Sequence, residues 1–372
     1  MLYAPNTWMS AQQLDLRPVP WCRMMSDVGG QAGGGAVSEA LGEFEALLGL
    51  IRGERTLGSA RLCAQAAAGL SQAAVALAAE LNDLDALRDE LQEACRRAAQ
   101  ARPAMAEMIR VGNDALLALG DGGVAAVQQW AEGYLARRQA MRDALCDAFL
   151  RELASQGHRS ILTHSNSSTV AAMLTRAIEA GLVTRVWCTL SHPPGEGLMT
   201  ARQLVGSGVQ VRLVSDAAMA RAVLDVDAIL TGADALQTLG VVNKVGTGLL
   251  ALLGLQHSRP IYSASTSLKL LSPGLQRLYS MKDGLAAELI GASANVELSD
   301  IGGDLEIHNP YYERTEYDMF TGIYTERGLH DPGDLPEMAR AVVTADGFGW
   351  ERGGRHALLP LWHQRLGRRV HV

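Results

Sequence analysis

The order of hydrophobic and polar positions divides the chain into two parts with different periods. Between residues 38 and 156, apolar residues recur at i, i+3, i+4 and i+7 in stretches rich in Ala and Leu, the pattern of amphipathic helices. Four stretches carry it most clearly: EALGEFEALLGLI, LGSARLCAQAAAGLSQAAVALAAEL, DLDALRDELQEACRRAAQA and VAAVQQWAEGYLARRQAMRDALCDAFLREL. The sequence therefore predicts a helical domain over 38–156.

Beyond Gly157 the pattern changes to short apolar runs separated by helical stretches. The runs are SILTH, VTRVWCTL, VQVRLV, DAILTG and PIYSAS. Such alternation is typical of an α/β domain, a doubly wound parallel sheet with helices on both faces, which we place at 157–330. An irregular arm ending in a Gly-rich linker, GGQAGGG, is predicted at 1–37, and a C-terminal extension at 331–372.

Composition narrows the classes of function. The chain has 372 residues, 48% of them hydrophobic, and a formal net charge of −7 that offers no basic surface for nucleic acid. Its five cysteines are Cys22, Cys63, Cys95, Cys146 and Cys188. They lie far apart and form no CxxC pair, which argues against a zinc site and against disulfides, and favours the reducing cytoplasm. We find no signal peptide and no uninterrupted apolar span of about 20 residues, so we expect a cytoplasmic protein without a membrane partner.

Polar residues follow the predicted strands at the edge where parallel sheets bind ligands. THSNSS follows the first strand, SHPPGEG the second, TGAD and then NKVGT the fourth, and SASTSLK the fifth. These loops offer hydroxyls, carboxylates, an amide and lysines, as a phosphorylated sugar requires. Taken alone, Asp234, Ser167 and Ser168 would each also fit a helix N-cap. Convergence of four loops on one edge favours a small-molecule site.

Glycine spacing argues against a nucleotide cofactor. The GADALQTLG stretch has too few glycines for a dinucleotide-binding turn, and no strand-GxGxxG-helix unit is present. We therefore expect neither a bound cofactor nor a structural metal.

The order of the motifs resembles one protein family. LTHSNS, PPGEGLMTA, GADALQTLGVVNKVGT, SASTSLK, HNPYYERT and IYTERG follow one another as in the family of methylthioribose-1-phosphate isomerase, ribose-1,5-bisphosphate isomerase and the regulatory subunits of eukaryotic initiation factor 2B. The likeness covers roughly residues 45–330. It implies a Rossmann-like sheet domain, a phosphorylated ribose as ligand, and a homodimer formed through the Rossmann-like domains.

The resemblance also assigns roles to residues of this chain. It implies that Asp234 is the catalytic aspartate and that Ser165 stands where the isomerases have their catalytic cysteine. Arginines at the family's binding positions would clamp a phosphate in bidentate fashion. The implied substrate-binding residues are Arg52, Gly53, Arg102, Glu196, Asn243 and Lys244.

Three positions depart from the family pattern, and the first is the charged Glu54, which follows Arg52 and Gly53 where a small residue is usual. A serine hydroxyl at 165 is a much weaker proton acceptor than a thiol unless an adjacent base takes its proton. His164 adjoins Ser165, but neighbours in an extended segment point to opposite sides, which favours a structural role such as a bond from His164 to a loop carbonyl. Glu196 stands where the isomerases have glutamine, and its carboxylate would repel a nearby phosphate.

Three functions fit these observations. The first, which we favour, is an aldose–ketose isomerase acting on a ribose 1-phosphate derivative, with Ser165 in place of the thiol or with Asp234 moving protons alone. The second is a regulatory relative that binds a phosphosugar or nucleotide without turnover, and the third is a scaffold with a vestigial pocket. Against the third stand the intact positions Arg52, Arg102, Asp234, Asn243 and Lys244. The choice between methylthioribose-1-phosphate and ribose-1,5-bisphosphate stays open.

Overall fold

The structure of the protein is a computed structural model that describes residues 36–54, 58–281, 284–285, 288–289 and 307–349. Nearly all of the predicted arm at 1–37, and the basic end of the predicted extension at 350–372, lie outside these residues. The domain limits proposed from the sequence stay predictions.

Five helices form the described residues of the N-terminal part, because Ala and Leu repeat on one face of each. They are α1 (Ala36–Gly53), α2 (Ser59–Glu80), α3 (Leu84–Ala101), α4 (Ala106–Glu132) and α5 (Tyr134–Gln156). In α2 the buried positions Leu62, Cys63, Ala66 and Leu70 follow this spacing. Gly157, in the left-handed conformation with φ 70°, ends α5.

One helix prediction was wrong in its limits. The stretch 124–153, predicted as a single helix, belongs to two, because α4 ends before Gly133 and α5 begins directly after it. Helix α4 begins at Ala106, inside the predicted helical domain but between the third and fourth of the helical stretches quoted from the sequence. It bends at Gly122 and Gly123, which leave helical geometry; the φ of 66° at Gly123 is accessible to glycine at little cost.

Helix α2 is long and apolar enough, by length and composition, to cross a membrane; its most apolar window has a mean hydropathy of 1.5. Half of that window is buried inside the protein, where α2 packs against the other four helices. The central helix of a helical core meets the same criteria. Packing therefore accounts for the apolarity of α2, and one such helix in the described ranges is weak evidence for a membrane span.

In the part of the chain that the structure describes, ten strands follow these helices, and the five predicted strands are among them. They are β1 (Ser160–His164), β2 (Arg185–Thr189), β3 (Gln210–Val214), β4 (Ala228–Gly232), β5 (Ala235–Gln237), β6 (Gly240–Lys244), β7 (Ile261–Ala264), β8 (Tyr312–Thr315), β9 (Gly322–Thr325) and β10 (Gly328–His330). Seven of them form one sheet in the order β3-β2-β1-β4-β7-β9-β10, parallel except for the β9–β10 pair. The predicted fold class is confirmed.

Strands β5, β6 and β8 form a separate antiparallel sheet that the sequence pattern did not reveal. The segment between Ala233 and Thr247, expected as a loop, holds a hairpin whose strands have only three and five residues and are buried throughout. Such short buried strands lack the alternation on which a strand prediction depends. Gly240 fits there because a Cβ would lie 2.3 Å from the carbonyl oxygen of Thr315.

Helices cover both faces of the seven-stranded sheet. They are α6 (Ser168–Glu179), α7 (Gly197–Leu204), α8 (Met219–Leu224), α9 (Thr247–Gln256) and α11 (Leu335–Arg340), while the short α10 (Pro273–Gln276) packs against the helical part. Ile161 of β1 belongs to the apolar cluster that includes α6 and α7, and the next residue, Leu162, to the cluster that includes α8, α9 and α11. The sheet is therefore doubly wound.

The helical part and the sheet part share apolar cores. The cluster around α1–α4 also contains Ala235 and Val242 of the hairpin and Leu275 of α10. Helix α5 contributes Tyr134 to this cluster, and its C-terminal half, including Phe149, to the core on one face of the sheet. The two parts are thus packed directly against each other.

The strand order reverses direction between β1 and β4. From β1 the chain proceeds outward to β2 and β3, and then returns to β4 on the other side of β1. In open α/β sheets, ligands bind outside the carboxyl ends of the strands at such a point. The loops after β1 and β4 carry Ser165 and Asp234 to this location.

Candidate active site

The turn after β1 presents Ser165 at the carboxyl edge of the sheet. Ser165 has a φ of 71°, which residues other than glycine rarely adopt and which is common at functional sites. Its N–H donates to Ser191 Oγ at 2.7 Å, and its carbonyl oxygen accepts from Thr200 Oγ1 at 3.0 Å. The backbone of Ser165 is thus held from both sides by residues that follow β2.

The residue that faces the Ser165 side chain is Glu196. It directly precedes α7, and its Oε1 accepts a hydrogen bond from Ser165 Oγ. Two of the positions at which this chain departs from the family pattern therefore contact each other. The Glu196 carboxylate is partly buried and lies within the site.

Gly197 fixes the place of Glu196. A Cβ at Gly197 would lie 1.9 Å from the carbonyl oxygen of Thr189, so α7 approaches the end of β2 as closely as only glycine permits. The Gly197 N–H donates to the carbonyl oxygen of Leu190 at 3.1 Å. The start of α7, and Glu196 with it, is thereby held against the sheet.

We expect Gly197→Ala to lower the free energy of unfolding by about 1–3 kcal/mol, because the added methyl group must push the backbone of α7 away from β2. Gly120→Ala in α4 is the control, since a Cβ there meets nothing within 4 Å and alanine favours a helix. Urea unfolding of both variants measures the effect. Equal stability of the two variants would contradict the close approach of α7.

His164 takes part in a buried network away from the Ser165 hydroxyl. Its Nε2 lies 2.8 Å from the carbonyl oxygen of Val245, which can only accept, so Nε2 carries the hydrogen. Its Nδ1 lies 2.7 Å from Thr189 Oγ1 and 3.2 Å from Ser191 Oγ. Burial lowers the pKa of His164. This geometry agrees with the expected structural role, a bond to a loop carbonyl, and leaves neither ring nitrogen facing Ser165.

Asp234 follows β4 directly and lies near Glu196. Its N–H donates to the carbonyl oxygen of Val242 at 2.7 Å, which anchors it at the mouth of the β5–β6 hairpin. Burial raises the pKa of the Asp234 carboxyl to about 6; Lys269 opposes the shift, Glu196 adds to it and Lys244 opposes it. A carboxyl with this pKa populates both protonation states near neutral pH.

Asn243 and Lys244 end strand β6 and are both buried. Asn243 Nδ2 donates to Thr247 Oγ1 at 2.9 Å. Lys244 Nζ donates to the carbonyl oxygen of Pro193 and lies 4.4 Å from the ring centroid of Tyr311. Burial lowers the pKa of Lys244, while nearby carboxylates, Glu196 first among them, favour its charged form. Both residues thus belong to the same edge as Asp234.

The arginines predicted to bind substrate lie in the helical part. Arg102 donates through Nε to the carbonyl oxygen of Ile51 at 2.9 Å and through Nη2 to that of Glu54. Arg52, in the last turn of α1, lies 3.7 Å from Glu45 and is half exposed. Gly53 ends α1 beside open space.

Arg102 is linked electrostatically to the sheet edge. The pKa of Tyr312 is raised by the carboxylate of Asp234, by burial and by the carboxylate of Glu196, and the positive charge of Arg102 lowers it. Tyr312 therefore marks the place where the helical part approaches the site. The structure groups Ser165, Glu196, Asp234, Asn243 and Lys244, with Arg102 at their border.

Sequence reasoning missed two tyrosines of the site. Tyr279, which follows α10, has a buried hydroxyl without a hydrogen-bond partner in the described part of the chain, and burial and the charge of Asp234 both raise its pKa. Tyr312 begins β8 opposite Lys244. Tyr279 stands outside the motifs recognised in the sequence. Tyr312 lies within HNPYYERT, but only the three-stranded sheet shows that it reaches the site.

Carboxylates and ammonium groups lie close together in the site. The charged form of Lys244 is favoured by the carboxylates of Glu196, Asp216, Asp234 and Glu288, and Lys269 favours the charged form of Asp234. Lys269 Nζ donates to the carbonyl oxygen of Ala233 at 2.6 Å. In the described ranges no three His, Cys, Asp or Glu side chains converge as metal ligands would. The arrangement suits proton transfer on a polar ligand.

Comparison with known proteins identifies relatives of this chain. The sequence model of the Initiation factor 2 subunit family matches residues 55–332. Ribose 1,5-bisphosphate isomerase of Methanocaldococcus jannaschii is 28% identical over 193 residues, covering 51% of this chain and 59% of the relative. Methylthioribose-1-phosphate isomerase of Ricinus communis is 31% identical over 193 residues, covering 48% and 50%. The chain thus spans about half to three-fifths of the length of these curated relatives.

A solved structure extends the match to the whole fold. The crystal structure of translation initiation factor eIF-2B of Pyrococcus horikoshii superposes with a TM-score of 0.61 at 26% identity, covering 78% of this chain and 97% of that one. The motifs, the sheet order and the family match over most of the chain agree. The chain belongs to the Initiation factor 2 subunit family.

Proposed function

We propose that this protein is an aldose–ketose isomerase that acts on a ribose phosphorylated at C1, with Asp234 as an acid/base residue and Ser165 at the position of the family's thiol. The observation that carries the proposal is the pKa of Asp234, raised to about 6 beside a lysine and a second carboxylate. General acid–base catalysis is most efficient when the pKa of the group lies near the working pH. Two relatives are named as isomerases of phosphorylated ribose derivatives.

The other residues of the edge would bind the sugar. Asn243 offers an amide and Lys244 an ammonium next to Asp234, and both are buried, so their bonds to a ligand would form away from water. Arg102 and, after rotation away from Glu45, Arg52 would supply charge for a phosphate from the helical part. The reaction moves protons within one substrate, so we expect no cofactor.

Proton NMR in deuterated buffer tests the proposed reaction. The wild-type protein is incubated separately with methylthioribose-1-phosphate and with ribose-1,5-bisphosphate, and spectra are recorded over time. We expect loss of the C2 proton signal and growth of a ketose with deuterium at C1 for one of the two. No ketose and no exchange with either substrate would contradict the proposed reaction.

A second function, a regulatory protein that binds a phosphosugar or nucleotide without turnover, has one observation in its favour. The cations expected to hold phosphate are engaged elsewhere: Lys244 with Pro193 and the Tyr311 ring, and Arg102 with Ile51 and the Glu54 carbonyl. The Glu196 carboxylate also lies within the site. These contacts would have to be exchanged before a phosphate could bind.

Binding and turnover measured together separate the two functions. Thermal unfolding with each sugar phosphate reports binding, and the NMR assay reports turnover. The regulatory function would be supported if a sugar phosphate protected the wild type from thermal unfolding without being converted, and if Ser165→Cys then showed proton exchange. Exchange by the wild type would support the isomerase.

We propose that two copies of the chain form a homodimer, and that the exposed face of α9 lies between them. Leu249, Leu252 and Leu255 of α9 are 49%, 58% and 59% exposed, an apolar surface on a helix that is apolar all round.

Cytoplasmic location and the absence of nucleic-acid, membrane and cofactor partners stay predictions from the sequence.

We expect Leu252→Asp to convert the dimer to a monomer, because a buried unpaired carboxylate at an apolar interface costs several kcal/mol. Sedimentation equilibrium measures the mass against the 39.7 kDa of one chain. Leu84→Asp is the control, since Leu84 is 77% exposed at the first turn of α3, where an aspartate is well placed. A dimer that persists in Leu252→Asp would exclude this face of α9.

A further inference from the structure

The site contains a pair of carboxylates where the family pattern has a thiol and one carboxylate. Ser165 stands at the thiol position and donates its hydroxyl hydrogen to Glu196, which stands at the position of a glutamine. We infer that Glu196 is the base that takes the C2 proton of the substrate, that Asp234 is the acid, and that Ser165 is a positioning residue for Glu196. This inference rests on the proposed isomerase function.

The hydrogen bond between Ser165 and Glu196 assigns the role of acceptor to the carboxylate. An alcohol becomes a base only when another group has taken its proton, and the group in contact with Ser165 Oγ is Glu196. A carboxylate needs no such help. Ser165 Oγ donates to Glu196 Oε1. The other oxygen of this carboxylate, Oε2, has no hydrogen-bond partner among the described residues.

The remaining candidates for the base are committed to other contacts. Both ring nitrogens of His164 are hydrogen-bonded, Nε2 to the carbonyl oxygen of Val245 and Nδ1 to the hydroxyl of Thr189 at the end of β2. Lys244 is bound to Pro193 and packed on a tyrosine ring. Cys188 is buried within β2.

Both oxygens of Asp216 accept hydrogen bonds, from the N–H groups of Ser191 and His192. Burial raises the pKa of the Tyr279 phenol, which makes it a poor base. We therefore assign proton transfer to the carboxylates of Glu196 and Asp234.

The environments of the two carboxylates separate their roles. The negative charge of Glu196 is one of the causes that raise the pKa of Asp234, so an ionised Glu196 favours a protonated Asp234. Pairs of acidic groups whose surroundings differ in this way commonly act as acid and base. Gly197 and the Ser165 hydroxyl hold Glu196 in a fixed orientation, as a base in such a pair requires.

The proposed steps balance without any further reactant. Asp234 gives its proton to the ring oxygen as the bond from C1 to that oxygen breaks. Glu196 takes the proton from C2, and the electron pair of the C2–H bond forms a C1=C2 double bond, giving an enol that keeps its phosphate on C1. Asp234 then takes the proton of the C2 hydroxyl, C2 becomes a carbonyl, and Glu196 returns its proton to C1.

Exchange at C2 in deuterated buffer compares three variants with the wild type, on whichever ribose phosphate the wild type converts. Glu196→Gln keeps the shape of the side chain but cannot carry a proton, and we expect exchange to fall by about 10²–10⁴-fold. Ser165→Gly removes the hydroxyl while glycine accepts the φ of 71°, and we expect a loss within about tenfold, since Glu196 stays in place as the base. Glu196→Asp should retain more activity than Glu196→Gln, because it keeps a carboxylate.

The outcomes separate the inference from the function on which it rests. The role of Glu196 would be overturned if Glu196→Gln exchanged at the wild-type rate, or if Ser165→Gly lost more exchange than Glu196→Gln. Either result would leave the proposed isomerase function intact. A wild type that gives neither ketose nor exchange would overturn both. Equal urea unfolding of Glu196→Gln and the wild type ensures that a lost rate reports chemistry rather than folding.

Discussion

Asp234→Asn is expected to lower the rate of ketose formation by about 10²–10⁴-fold, because an amide cannot give a proton to the ring oxygen or take one from the C2 hydroxyl. The asparagine has nearly the same shape as the protonated aspartic acid, so substrate should still protect the variant from thermal unfolding. The NMR assay measures the rate. Asp121→Asn, at an exposed position of α4, is the control and should keep the wild-type rate. Turnover by Asp234→Asn at the wild-type rate would exclude Asp234 as the acid.

The same substitution should make the protein more stable at alkaline pH. Burial raises the pKa of Asp234 from 3.8 to about 6, so between these pH values the folded state holds a proton that the unfolded state has lost. Wild-type stability therefore falls as the pH rises through this range, and the asparagine variant escapes the loss. We expect a gain of about 1–3 kcal/mol in the free energy of unfolding at about pH 8 and none at about pH 4. A gain of equal size at both pH values would contradict the raised pKa.

Glu107→Ala is expected to have the largest effect on stability, a loss of about 3–5 kcal/mol. Glu107 of α4 is 1% exposed, and its Oε1 accepts from Tyr134 Oη at 2.8 Å and from Arg138 Nε at 2.5 Å. Arg138 also lies 3.4 Å from Ser59 Oγ at the start of α2. Truncation would leave a mostly buried guanidinium and a buried phenol without their acceptor. Urea unfolding measures the loss.

Two further variants test the cause of this loss. Glu93→Ala removes an exposed partner of Arg97 within α3 and should cost less than about 1 kcal/mol. The double variant Glu107→Met with Arg138→Met replaces both buried charges by apolar groups and should recover much of the stability lost in Glu107→Ala. If the double variant were less stable than Glu107→Ala, the ion pair itself would stabilise the fold, and the unpaired charge left in Glu107→Ala would not account for the loss.

The sequence predicted the strands of the parallel sheet better than the elements that complete the site. The runs SILTH and DAILTG became β1 and β4 because both faces of these strands are buried and their apolar runs are continuous. The β5–β6 hairpin stayed hidden, since strands of three and five residues carry no reliable periodicity. Asn243 and Lys244 were therefore expected in a loop, whereas they end a strand.

The residues of the site were suggested by motifs, but their mutual contacts were not. Ser165 and Glu196 could each be singled out from the sequence, yet their hydrogen bond depends on how α7 packs against β2. Tyr279 and Tyr312 reach the neighbourhood of Asp234 through tertiary structure alone. The arginine motifs were found, but the bond of Arg102 to the end of α1 could not be read from them.

Helix α5 limits how the chain can be divided or recombined. Its first residue, Tyr134, belongs to the helical core, while Phe149 and Leu153 cover one face of the sheet. A fragment that started at residue 157 would expose the apolar side chains beneath them and should aggregate rather than fold. Exchange of the sheet domain between homologous proteins must therefore carry α5 with it, and limited proteolysis should release no stable piece that begins after this helix.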